Sequence, residues 1–125
     1  MAQMLIAIAA LFGGLAVAAG AFGAHALRGQ LSDRALEIFT TGVQYQMYHA
    51  LALLAVGLLL SRTDIVPTTL PLAGYAFIAG ILVFSGSLYA LSLSGIQWLG
   101  AITPIGGVFF MAGWACLAIA ALTNP

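Results

Sequence analysis

Of the 125 residues, 63% are hydrophobic and 5% are charged, with formal charges that cancel. An average soluble domain is about 45–50% apolar and about 25% charged, so three cationic and three anionic side chains cannot cover a water-exposed surface of this size. The solvent for most of this chain must be lipid.

The cations are all arginine, and each lies near an acid in sequence. That is too few to neutralise a row of phosphates, which excludes nucleic acid as a partner. A polybasic headgroup patch is excluded for the same reason. The single cysteine, Cys116, rules out an intrachain disulfide and sits in an apolar run where a buried, inert thiol is expected.

A hydrocarbon core about 30 Å thick needs roughly 20 apolar residues in a helix. The first such segment is Met4–Leu27, whose one polar side chain is His25. No positive charge precedes it, and it outlasts the roughly 7–15-residue apolar region of a secretory signal. It reads as a retained transmembrane helix rather than a signal peptide. The stretch Arg28–Gly42 follows and holds Arg28, Asp33, Arg34 and Glu37. Within it "LSDRALEIF" carries a helix start: Ser32 suits the cap, Asp33 the first turn, and Leu36, Ile38 and Phe39 form an apolar face. This piece is either an interfacial helix or the exposed beginning of helix two. Pairing of Arg28 or Arg34 with Asp33 or Glu37 is expected at the membrane surface.

The second apolar segment, Val43–Leu60, contains Gln44, Gln46 and His49. Arg62, Asp64 and two prolines then mark a loop, and Leu70–Leu91 makes the third segment, with Ser85 and Ser87. A short turn at Gly95 leads to Trp98–Leu122, interrupted by Thr103-Pro104. Proline lacks an N–H and clashes with the preceding turn, so the helix either kinks at Pro104 or begins there with Thr103 as cap. One kinked helix is the preferred reading. Backbone polar groups in hydrocarbon must pair internally, which makes these segments helices and not an open sheet. The expected architecture is therefore all-α: a single four-helix transmembrane bundle over residues 1–125. Its helices are predicted at 4–27, 32–61 with the membrane part from about 43, 70–93, and 97–122 with a kink near Pro104.

Four crossings put both termini on one side. The first loop carries Arg28 and Arg34 and the second carries Arg62. The positive-inside rule thus favours a cytoplasmic first loop and external termini.

Helices in lipid associate through close backbone approach, and small residues four apart provide it. Gly13, Gly20, Gly23, Gly80, Gly86, Gly106 and Gly107 are the candidate packing positions. The histidines raise a chemical alternative. Tyr45 and His49 are four apart and share a helix face, while Gln46 lies on another side. One reading is a polar pocket of His25, Tyr45, Tyr48 and His49, joined by Ser85 and Tyr89, with the two histidines within roughly 8 Å in depth. The other reading, which packing chemistry favours, has each histidine bonding a neighbouring carbonyl or hydroxyl and pinning two helices. Two histidines without cysteine or a convergent carboxylate make an incomplete metal site, so no metal or cofactor is expected. No acid lies in the apolar cores, so neither a nucleophilic triad nor a carboxylate-coupled transporter is expected.

Four motifs stand in order: "GAFGAHAL" at Gly20–Leu27, "GVQYQMYHALALL" at Gly42–Leu54, "FSGSLYAL" at Phe84–Leu91 and "ITPIGG" at Ile102–Gly107. Together they resemble the domain of unknown function 423 family of small bacterial membrane proteins, related to the eukaryotic transmembrane protein 256. The resemblance implies a four-helix protein of the cytoplasmic membrane and implies no reaction. The expected role is structural or accessory, in a larger membrane complex or a homo-oligomer. A small-molecule carrier with a pocket around the histidines is the alternative.

Overall fold

The computed structural model describes residues 1–123. Four long helices cross the molecule in alternating directions: α1 (Ala2–Leu27), α2 (Asp33–Arg62), α3 (Thr69–Ser94) and α4 (Gln97–Thr123). Each is long and apolar enough to span a bilayer, and the described residues contain no strand beyond one isolated bridge between Arg28 and Leu31. α1 packs chiefly on α2 and α4 chiefly on α3, with α2 against α3 in the middle.

The start of α2 settles the status of "LSDRALEIF". Ser32 accepts a hydrogen bond from the Ala35 N–H at 3.1 Å, and the helix runs unbroken from Asp33 to Arg62. The amphipathic piece is the exposed beginning of helix two. Arg34 and Glu37 pair there at 3.4 Å, one turn apart and open to solvent. Such exposed pairs are worth about 0.2–1 kcal/mol.

Three helices depart from α geometry. α1 ends in a π-helical turn at Gly23–Leu27, and α3 has one at Ile81–Ser85. α4 opens with a 3-10 turn at Gln97–Ala101 and becomes α-helical at Thr103. Pro104 therefore lies in the first α-helical turn, where no intrahelical donor is required of it. A change of helix type, from 3-10 to α, thus falls just before Pro104. Thr103 spends its hydroxyl on Ser87 of α3, 2.6 Å away.

The α3–α4 seam is built from reciprocal glycine–phenylalanine contacts in one antiparallel register. The Phe110 ring lies over Gly80, the Phe77 ring lies over Gly113, and the Phe84 backbone lies over Gly106. A side chain at any of these glycines would collide with its partner, so glycine fixes how close the helices come. Along α1–α2, Ile6 sits against Gly57, Val43 beside Gly20 and Phe39 beside Gly23. Gly20, Gly23, Gly80 and Gly106 thus lie under neighbouring helices. Gly13, Gly86 and Gly107 do not, because a Cβ at each would meet no neighbouring atom.

The core gathers Leu5, Leu53, Val56, Ala73, Phe77 and Phe110 from all four helices. Outward side chains such as Leu11, Val17, Leu51, Leu82, Val108 and Met111 are largely exposed. An apolar belt of that extent is what lipid solvates and water does not.

Candidate functional site

His49 is the centre of the best-defined polar cluster. It projects from the middle of α2 and is 5% exposed. Its Nδ1 lies 2.7 Å from the Tyr45 carbonyl, one turn back, and its Nε2 lies 3.0 Å from the Trp114 indole nitrogen of α4. A carbonyl only accepts and an indole N–H only donates. The imidazole is therefore the neutral tautomer that carries its proton on Nδ1, with both nitrogens occupied. Its ring stacks on Phe110 with centroids 3.5 Å apart and planes 9° from parallel. Phe77 and Trp114 close the remaining sides.

This arrangement leaves His49 no lone pair for a metal and no vacant nitrogen for proton relay. Among the described residues, no three of His, Cys, Asp and Glu cluster closely enough to hold a metal ion.

His25 is elsewhere. It lies exposed in the π-helical turn that ends α1. With Ile6 beside Gly57 and Gly20 beside Val43, His49 stands level with about Gly14 of α1. His25 is roughly eleven residues further on, about 16 Å at 1.5 Å per residue. The smaller separation inferred from sequence took helix two to enter the membrane near Gly42. In the observed register Gly42 is level with about Ala21, four residues before His25, so His25 lies beyond that point and the gap widens.

Tyr45 and Tyr48 stay with His49 but face outward, 38% and 54% exposed. Tyr45 stacks near His49 and against Phe84, and Tyr48 rests on Tyr45. Tyr45 joins the hydrogen-bond chain through its carbonyl and not its hydroxyl. Ser85 is 1% exposed and donates to the Gly42 carbonyl at 2.7 Å, tying α3 to α2.

Tyr89 belongs to a second polar cluster. Its hydroxyl donates to Gln46 Oε1 at 2.6 Å, and Gln46 Nε2 donates to the Phe12 carbonyl of α1 at 2.8 Å. Three helices are thereby joined through one amide. Gln46, buried at 5% exposure, and Trp114 were not among the residues singled out from sequence. An amide inside an apolar segment was the available signal for Gln46. The signal for Trp114 was absent, because only the fold brings position 114 to position 49. The charged residues Arg28, Asp33, Arg34, Glu37, Arg62 and Asp64 are all exposed at the ends of α1 and α2 or in the loops that follow them.

Comparison with known proteins agrees that the chain is a membrane protein. The family described as "Protein of unknown function (DUF423)" matches residues 19–107. A UPF0382 membrane protein of Staphylococcus epidermidis is 48% identical over 120 residues, 96% of each chain. The UPF0382 membrane protein YwdK of Bacillus subtilis is 46% identical over 120 residues, covering 96% of this chain and 97% of its own. A UPF0382 membrane protein of Staphylococcus aureus is 49% identical over 118 residues, 94% of each chain. No solved structure matches. The chain belongs to the DUF423 family of membrane proteins.

Proposed function

We propose that this member of the DUF423 family is a non-catalytic accessory protein of the cytoplasmic membrane, working by lateral contact with another membrane protein. The observation that carries the reading is the outward pair Tyr45 and Tyr48 on α2. α2 runs between Arg34 and Glu37 at one end and Arg62 and Asp64 beyond the other. Tyr48 is about halfway between them, at the depth of the bilayer centre. A hydroxyl left without a hydrogen bond in an apolar medium costs roughly 2–7 kcal/mol. A transmembrane helix that presents a polar side chain to Tyr45 and Tyr48 removes that cost. His49, with both nitrogens occupied, supports a structural role for the cluster beneath them.

The same reading places the first loop, with Arg28 and Arg34, in the cytoplasm and both termini outside. The test is a photo-crosslinking amino acid at Tyr48 in native membranes, with Leu11 on α1 as the control position. A single heteromeric adduct from position 48, absent from position 11, supports the proposal. No adduct defeats it, and an adduct of two copies of this chain replaces the accessory role with self-association.

A further inference from the structure

A groove of about 490 Å³ separates α1 from α3 above α2. That volume is within the usual range for small-molecule sites. Phe12, Phe22, Phe39, Ile81 and Leu82 contribute its apolar walls, and Gln46 with Tyr89 supplies polar atoms. Leu15, Phe22 and Leu82 on its rim are more than half exposed, so it opens sideways to lipid.

Two observations indicate that the groove is kept open for an occupant. The first is Gly86. It lines the groove, and a Cβ there would meet no protein atom. Helix packing therefore gives no reason for glycine at 86, although glycine is less favourable than alanine inside a helix. Gly80, Gly106 and Gly113 each have a neighbour that requires them. The second is unspent hydrogen-bonding capacity. A glutamine amide has two N–H donors and an oxygen with two lone pairs. Gln46 spends one donor on Phe12 and one lone pair on Tyr89, and the Tyr89 oxygen retains its acceptor capacity.

Depth and chemistry then select the ligand. Gln46 is about two residues from Tyr48 at the middle of α2, roughly 3 Å from the bilayer centre. Phospholipid headgroups and ester carbonyls lie at the edge of a core about 30 Å thick, some 15 Å from the centre. They do not reach Gln46. A charged group at that depth is costly, which leaves neutral molecules that dissolve in the bilayer interior. The remaining Gln46 N–H suits a carbonyl acceptor, and the tilted Phe39–Tyr89 pair, with centroids 5.0 Å apart, suits a flat ring. We infer that the α1–α3 groove binds a neutral quinone-type ring lipid, with a ring carbonyl on Gln46 and the tail leaving past Leu15 and Leu82. The site shares no residue with the Tyr45–Trp114 cluster, so this inference and the accessory role stand or fall separately.

The test uses the whole protein in nanodiscs of phosphatidylethanolamine and phosphatidylglycerol, titrated with decylubiquinone and followed by native mass spectrometry. The expected result is saturable uptake of one decylubiquinone per chain. Gly86→Leu should weaken uptake at least tenfold without lowering the melting temperature. Gly107→Leu, equally open but on α4, should bind as wild type. The infrared carbonyl band of the bound quinone should shift down in wild type, and that shift should vanish in Gln46→Met. Absent saturation, or uptake in Gly86→Leu equal to wild type, overturns the inference. So does a retained phospholipid that Gly86→Leu displaces.

Discussion

Trp114 donates its indole N–H to Nε2 of His49 across 3.0 Å, and the same imidazole bonds the Tyr45 carbonyl of its own helix through Nδ1. A hydrogen-bonded imidazole thus bridges α2 and α4 at the depth where water is scarcest. Interhelical hydrogen bonds in membranes average about 0.6 kcal/mol and reach about 1.7 kcal/mol. Trp114→Phe removes the donor and strands the Nε2 lone pair, so we expect a loss of about 1–2 kcal/mol. His49→Leu together with Trp114→Phe should cost less than the two single changes added, because neither partner is left behind. A double-mutant cycle of unfolding in mixed micelles checks this. Strict additivity would show that the contact does no coupling.

The glycines divide by what lies above them, and the division predicts opposite signs. Gly113→Ala drives a methyl into the Phe77 ring, 2.6 Å from the Cβ position. Overpacking of this kind costs about 1–3 kcal/mol. Gly107→Ala meets nothing and should stabilise by about 0.4–1 kcal/mol through a less flexible unfolded chain. Adding Phe77→Leu to Gly113→Ala should recover part of the loss, since the offending ring is gone. Unfolding free energies of the three variants decide the matter, and equal signs for the two glycines would refute the packing account.

Sequence reasoning succeeded where lipid imposes a one-dimensional rule. Spanning hydrocarbon demands about 20 apolar residues per helix, so four segments were legible without any tertiary knowledge. The same reasoning placed Gln46 and His49 on different faces of helix two, and they do face different helices. What escaped it depends on pairing between helices. Gly42, Gly57 and Gly74 matter because Tyr89, Ile6 and Leu5 lie over them, and spacing within one segment carries no trace of that. The separation of His25 from His49 turned on the register in which α1 pairs with α2, which neither segment reveals alone. The π-helical turns have no compositional signature, yet Ser85, which ends the second of them, meets the Gly42 carbonyl.

Ser32 governs the exposed beginning of α2. Its side chain accepts from Ala35 N–H, the one side-chain cap among the helix starts described. Loss of such a cap typically costs about 1 kcal/mol. Because Asp33 and Arg34 at the start of α2 are exposed, that loss should be local. We expect Ser32→Ala to speed amide hydrogen exchange at Leu36 and Glu37 by several-fold while leaving exchange around His49 unchanged. Uniform acceleration along α2 would mean that the cap supports the whole fold instead.

Arg28 bears on orientation more than on stability. It is exposed just after α1, and the described residues give it no ion-pair partner; the nearby salt bridge joins Arg34 to Glu37 within α2. Removing it therefore breaks no packed contact. It does remove the arithmetic margin between the first loop, with two arginines, and the second, with one. Orientation follows the arginine and lysine bias of short loops, so Arg28→Ala should yield a mixed population of both orientations. Adding Arg62→Ala should restore the original one. Labelling of single cysteines at Gln30 and Asp64 from either side of the membrane reads the fractions, with Cys116 replaced by alanine. A large fall in thermal stability with unchanged labelling would assign Arg28 a structural role.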